Sequence, residues 1–293
     1  MSHPAAKPNF LVRLGTFVRF SHTVFALPFA LIAMIVAGGG TVAPMVFFWI
    51  LVSAVAARTL AMCFNRLVDW ESDKLNPRTK DRHTLVSRPQ AWLLLAACAG
   101  VTLAATARLN TLCFALSPVM IVILCFYSLT KRFTAFSHFF LGLALSVAPV
   151  GAWIAVRASL SALPPFILAT AVLLWTFGFD LIYSTLDAEF DRRQGLFSFP
   201  SRFGVPAALR LAKVLHVLAA LSFIWFWKAA GLGPGYAAAC VVTLLALVWE
   251  HRLAANLDAG SINRAFFQIN ALVSMTLLAG TLSDFKVWRH FLP

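Results

Sequence analysis

Charge is scarce in this chain. Of its 293 residues only 12% are Asp, Glu, Lys or Arg, and eleven acidic residues stand against 24 basic ones. With 60% hydrophobic residues and a mean hydropathy of +0.82, an ordinary soluble fold, whose apolar share is about 45–50%, is excluded. Tyrosine is nearly missing, at three, beside 27 Phe and nine Trp. That balance suits lipid-facing helices with aromatic belts and not a nucleic-acid-binding surface. Cysteines are few, and Cys63, Cys98, Cys113, Cys125 and Cys240 show no C-x-x-C spacing of a zinc or redox site. Each lies inside an apolar run and reads as a small core hydrophobe, not half of a disulfide. A small-residue cleavage site is also missing between the weakly basic start (Lys7, Arg13, Arg19) and the first apolar run, so the first helix is expected to be retained.

What is present is a series of apolar stretches near the roughly 20 residues that span hydrocarbon. They run over 20–38, 44–64, 90–107, 111–129, 136–156, 163–183, 207–227, 236–250 and 265–282. The expectation is a single all-α integral membrane domain over 1–293, with about nine transmembrane helices. If the N-terminus is cytoplasmic, 18 of the basic residues fall on inside segments and five outside: Arg108, Arg157, Lys228, Lys286 and Arg289. Arg58 lies within the second stretch. The positive-inside rule then orients the chain N-in and C-out in the cell inner (plasma) membrane and absorbs the +13 net charge without a nucleic-acid partner. Residues 65–89 and 187–206, the long polar loops, fall on the same cytoplasmic side, where chemistry is expected.

Eight of the eleven acids fall in two places: Asp69, Glu71, Asp73 and Asp81, then Asp180, Asp187, Glu189 and Asp191. The pattern Asn65-x-x-x-Asp69-x-Glu71-x-Asp73 repeats as Tyr183-x-x-x-Asp187-x-Glu189-x-Asp191, a constant offset of 118 residues. On a helix, residues four apart share a face, so Asn65, Asp69 and Asp73 form one column and Asp187 and Asp191 another. Like charges so stacked repel, and Mg²⁺ bound by one or two carboxylates plus substrate phosphates relieves that. The plainer alternative is a solvated helix end paired with Lys74, Lys80, Arg192 and Arg193. Asp180, inside an apolar run, argues for function, because an ionisable group at depth costs about 2.5–3.5 kcal/mol on insertion scales. Arg58, seven residues before Asn65, meets either a substrate anion or Asp180. Tyr127 and Lys131, one turn apart, are either interface anchors or part of the site.

These residues resemble the UbiA superfamily of intramembrane prenyltransferases. The likeness runs from Phe20-Ser-His-Thr-Val-Phe-Ala-Leu-Pro-Phe-Ala through Asn65-Arg-Leu-Val-Asp69-Trp-Glu-Ser-Asp73-Lys-Leu-Asn76-Pro-Arg78-Thr79-Lys-Asp-Arg82. It continues through Tyr127-x-x-x-Lys131 to Asp180-x-x-Tyr183-x-x-x-Asp187-x-x-x-Asp191-x-x-x-Gly195-x-x-Ser198-x-Pro200. The resemblance implies a nine-helix fold in which Asn65, Asp69, Asp73, Asp187 and Asp191 bind diphosphate through Mg²⁺. Arg58, Tyr127 and Lys131 would stand near the phosphates, and Arg78 and Tyr183 would belong to the substrate site. Many members begin the first motif Asn-Asp. Here Arg66 follows Asn65, so one possible ligand is missing.

The implied reaction is loss of diphosphate from a polyprenyl diphosphate to give an allylic cation, attacked by the ring of a small aromatic acid, with Asp180 or Asp191 taking the ring proton. The acceptor is expected to be 4-hydroxybenzoate of ubiquinone biosynthesis, or a dihydroxynaphthoate of menaquinone biosynthesis. No protein partner is called for. A transporter with two acidic half-sites is the remote alternative. Its carboxylates would sit at the midplane, whereas these gather at one face.

Overall fold

The computed structural model describes residues 9–19, 23–255 and 258–285. Lys7, Phe20-Ser21-His22, Lys286 and Arg289 lie outside the described residues. Among those described, the chain forms helices and turns with no strand.

Helix α1 (Phe10–Phe17) opens on an Asn9 side chain that accepts from the Val12 amide. The long helices follow: α2 (Thr23–Ala37), α3 (Pro44–Val68), α5 (Arg88–Leu109), α6 (Thr111–Phe126), α7 (Ser137–Arg157), α8 (Pro164–Ser184), α11 (Val205–Ala229) and α12 (Pro234–Ala254). The last stretch comprises α13 (Ala259–Arg264), a π-turn at Ala265–Ile269 and α14 (Asn270–Asp284). Eight of these segments are long and apolar enough to cross a membrane, and α2 is shorter. Among the described residues, each of the nine expected stretches therefore carries a helix.

The differences lie at the ends. The eighth stretch, expected to stop at 250, continues to Ala254. Glu250 ends the apolar run in sequence, yet it is wholly buried and accepts from Asn270 Nδ2 at 3.0 Å. The two long loops are structured as well: α4 (Trp70–Leu75), α9 (Ala188–Arg193), α10 (Phe199–Phe203) and 3₁₀ turns at Arg82–Thr84 and Thr185–Asp187 occupy them.

Local chemistry explains several boundaries. Ser87 and Gln90 form a reciprocal capping box at the start of α5, with Pro89 in its first turn. Asn110 caps α6 and donates to the Ile154 carbonyl at 2.8 Å, tying α6 to the end of α7. Helix α8 lies centrally, against α11 and α7. At Gly142 a Cβ would meet the Leu173 carbonyl oxygen at 2.6 Å, so only glycine lets α7 approach α8 this closely. Trp175, Phe29 and Phe223 are fully buried, and the Trp175 and Phe29 rings meet at 5.2 Å. Large apolar side chains such as Leu93, Val122 and Leu245 instead point outward, as a lipid-facing surface requires.

At the end of the bundle away from the acidic motifs, Asp284 of α14 accepts from the amides of Gly233, Gly235 and Tyr236 at 2.9, 2.8 and 2.9 Å. These are orphan donors at the α12 N-terminus. Losing a side-chain acceptor that caps a helix N-terminus costs about 0.5–2 kcal/mol, so Asp284→Ala is expected to destabilise the bundle by about 2 kcal/mol. A lowered thermal midpoint in detergent, with the catalytic constants of the surviving protein unchanged, checks this.

Candidate active site

Helices α3, α6 and α8 all finish at one end, and the site is assembled from their last turns. The first motif crosses a bend. Helix α3 stops at Val68, Asp69 takes φ −90° and ψ 13°, and α4 resumes at Trp70. The Asp69 amide still bonds to the Asn65 carbonyl at 3.0 Å and the Asp73 amide to the Asp69 carbonyl at 2.7 Å. The expected column of Asn65, Asp69 and Asp73 therefore survives. The second motif crosses a similar junction, through the 3₁₀ turn at Thr185–Asp187 into α9.

The solvated-end reading holds for the two glutamates, and Asp81 is exposed as well. Glu71 and Glu189 are 70% and 62% exposed and pair with Lys74, and with Arg192 and Arg193. Lys74 holds the Glu71 carboxyl below its usual range. Asp69, Asp73, Asp187 and Asp191 turn inward. Asp191 is 2% exposed and Asp187 9%. Burial pushes the Asp69 carboxyl above its usual range, opposed by Lys131.

Their partners are cations from other segments. Arg78 binds Asp187 through Nη2, donates to the Tyr183 hydroxyl through Nη1, and lies 4.9 Å over the Tyr183 ring. Burial opposes charge on Arg78, but Tyr183 and Asp187 outweigh it and hold the guanidinium above its ordinary value. The turn that presents Arg78 is written in Asn76-Pro-Arg-Thr79: Asn76 Oδ1 accepts from the Arg78 amide at 2.9 Å, and the Thr79 hydroxyl donates to the Asp73 carbonyl at 2.9 Å. Arg82 reaches Asp73 at 3.0 Å and Arg66 reaches it at 3.5 Å. Burial and the neighbouring Arg66 bring Arg82 down to about 10.

Lys131 stands between the two motifs. It sits on a 3₁₀ turn, Tyr127–Arg132, and its ammonium lies 3.9 Å from Asp191 and within electrostatic range of Asp187, Asp180 and Asp69. Its neighbour Arg132 faces Asp69 at 3.7 Å. Tyr127 and Arg58 meet at one end of a cavity of about 540 Å³. The cavity's walls are apolar and narrow-chained, with Ala54, Ala57 and Ala61 of α3 facing Ala144, Ala148 and Gly151 of α7.

One expected alternative is not formed. Arg58 does not pair with Asp180, and no carboxylate lies within 4.0 Å of it among the described residues. Asp180 is taken instead by His138 of α7, Nδ1 to Oδ2 at 2.6 Å, with the imidazole wholly buried. Sequence reasoning missed His138 because a lone histidine 42 positions away carries no spacing signal. The countercharges Arg66, Arg82 and Arg132 were missed too, since only tertiary contact pairs them.

Among the described residues no three acidic, histidine or cysteine side chains are gathered closely enough to hold a metal ion, and Arg66, Arg78, Arg82 and Arg132 engage Asp73, Asp187 and Asp69 instead. The donor chemistry is nonetheless of the hard, oxygen kind. Asn65, Asp69, Asp73, Asp187 and Asp191 offer oxygens alone, and Asp191 Oδ2 is buried with no hydrogen-bond partner. A buried carboxylate oxygen left bare is costly unless something charged completes it. Arg66 lies against Asp73 at 3.5 Å and donates to Asn65 Oδ1 at 3.2 Å.

The model of the UbiA prenyltransferase family matches residues 26–272. This chain belongs to the UbiA prenyltransferase family. A 4-hydroxybenzoate octaprenyltransferase of Marinobacter nauticus is 30% identical over 237 residues, spanning 80% of this chain and 79% of that protein. The apo structure of a UbiA homologue from Aeropyrum pernix K1 superposes with a TM-score of 0.82 at 32% identity, over 90% of this chain and 98% of that one. A UbiA homologue from Archaeoglobus fulgidus bound to DMAPP and Mg²⁺ gives a TM-score of 0.71 at 17% identity, over 92% and 99%, a likeness of fold. The expected resemblance to the 4-hydroxybenzoate branch of UbiA proteins is met, and the protein is a prenyltransferase enzyme.

Proposed function

We propose that this UbiA enzyme transfers a polyprenyl group from a polyprenyl diphosphate to 4-hydroxybenzoate, as a step of ubiquinone-type biosynthesis. Diphosphate is released in a Mg²⁺-dependent reaction at the cytoplasmic face of the inner membrane. The observation that carries the reading is Lys131, set between two inward-facing aspartate motifs and four residues after Tyr127, which lines the apolar cavity. Relatives named for the 4-hydroxybenzoate reaction support the acceptor, and a neighbour holding DMAPP and Mg²⁺ supports the donor and metal classes.

Mg²⁺ held by Asn65, Asp69, Asp73, Asp187 and Asp191 would neutralise the diphosphate and ease its departure. Lys131 and Arg78 stabilise the charge that develops as the allylic carbon–oxygen bond breaks and its electron pair leaves with the diphosphate. Tyr127 closes the polar end of the cavity, and Tyr183 holds Arg78 in place. Arg58 lies seven residues before Asn65, about 10 Å deeper along α3, with no acidic partner nearby. That depth suits the carboxylate of the acceptor better than the diphosphate. The apolar walls accept the isoprenoid and keep water from the cation. The nucleophilic ring carbon forms the new carbon–carbon bond, and Asp180 takes the ring proton while the C–H electron pair restores aromaticity. Asp180 is preferred to Asp191 because Asp191 is enclosed against Lys131, whereas the Asp180 side chain keeps 18% exposure.

The test is purified protein in lipid with Mg²⁺, geranyl diphosphate and either 4-hydroxybenzoate or a dihydroxynaphthoate. The expected result is prenylated 4-hydroxybenzoate with matching pyrophosphate, abolished by EDTA and restored by Mg²⁺. Product from the naphthoate alone would move the enzyme to the menaquinone branch.

A further inference from the structure

We infer that His138 is the positioning residue for Asp180, fixing which carboxylate oxygen faces the acceptor and making the ring-proton step fast. This rests on the proposed function above and adds to it a residue that no motif includes.

The tautomer follows from the contacts. The Phe199 amide, in the first turn of α10, donates to His138 Nε2 at 3.4 Å. Nε2 is then the acceptor, Nδ1 carries the hydrogen, and the 2.6 Å contact is an Nδ1–H donation to Asp180 Oδ2. With Oδ2 engaged, Oδ1 is left to receive a proton. An imidazole backed by a main-chain group and directed at a carboxylate is how proteins hold a reacting oxygen to a fraction of an ångström. His138 has no exposure at all, so it does not itself reach the substrate.

The same loop also grips the leaving-group side. The Phe197 amide donates to the Lys131 carbonyl at 2.7 Å, and the Leu196 amide to the Asp191 carbonyl at 2.9 Å. Residues 196–199 thus hold Lys131 by its backbone and Asp180 through His138. The cation that meets the departing diphosphate and the base that finishes the reaction share one support.

The proton balance is simple. The ring C–H bond breaks, its pair re-enters the ring, and the proton goes to Asp180 Oδ1; His138 keeps its own hydrogen throughout.

The experiment compares wild type, His138→Leu, which fills the space without a donor, and His138→Asn, whose amide nitrogen sits near the place of Nδ1. All are assayed with ordinary and ring-deuterated 4-hydroxybenzoate, and Mn²⁺ affinity is measured separately. Supporting outcomes for His138→Leu are a fall in kcat of about 10- to 100-fold, unchanged KM for geranyl diphosphate, unchanged Mn²⁺ affinity, and a deuterium effect on kcat absent in wild type. His138→Asn should recover most of the rate, and His138→Leu should cost nothing further in an Asp180→Asn background. Wild-type kcat in His138→Leu overturns the inference, as does a loss with no isotope effect accompanied by weakened Mn²⁺ binding, which marks a purely structural role. Failure of the proposed function itself would show separately, as a wild-type enzyme that makes no prenylated 4-hydroxybenzoate.

Discussion

Asp191→Asn is expected to cut turnover about a thousandfold, equivalent to about 4 kcal/mol of transition-state stabilisation. The substitution keeps shape and removes charge from a carboxylate that is 2% exposed and whose Oδ2 has no hydrogen-bond partner. Such a bare oxygen is intended for a cation stronger than Lys131 at 3.9 Å. Losing it weakens Mn²⁺ binding as well as rate, and that is the second readout. Glu189→Gln is the matched contrast two positions away. Glu189 is 62% exposed and shared between Arg192 and Arg193, and exposed ion pairs are worth about 0–1 kcal/mol. Its turnover should stay within about twofold of wild type. Equal losses in the two variants would mean that net charge at this face, not ligation, carries the effect.

That contrast also shows what the sequence could convey. The 118-residue register located both motifs and their common end, and hydropathy located the eight membrane-length helices of the described residues and the shorter α2, because both are properties of chain order and period. Which acids face inward depends on how α4 and α9 leave the bends at Asp69 and Asp187, and no periodicity reports a bend. The same limit explains Glu250, which a hydropathy scan treats as a boundary although Asn270 receives it inside the bundle. It explains His138 as well: a histidine in an apolar helix is ordinary core in sequence, and only the approach of α7 to α8, permitted at Gly142, sets it against Asp180. Among the arginines only Arg58 and Arg78 stand out in the sequence, Arg78 through the motif that contains it. Positive-inside loops supply basic residues in excess, so nothing in the charge pattern separates Arg82 and Arg132, which face Asp73 and Asp69, from those that merely orient the chain.

Lys131→Met is expected to lower kcat by about 100- to 1000-fold, the usual loss when one preorganised group facing a developing negative charge is removed. Methionine keeps the unbranched stem, so the 3₁₀ turn and the Phe197-to-Lys131 backbone bond should persist, and the effect isolates the ammonium. Because Lys131 already stands among Asp191, Asp187, Asp180 and Asp69, its removal leaves those carboxylates repelling one another. Mn²⁺ affinity should therefore stay the same or rise while turnover falls. This opposition distinguishes Lys131 from a residue that only gathers the metal. Lys131→Arg should recover little, since a planar fork cannot place its charge where a compact ammonium sits. A variant with normal kcat and raised KM would instead assign Lys131 to ground-state capture of the diphosphate, and the charge at bond cleavage would then fall to Arg78.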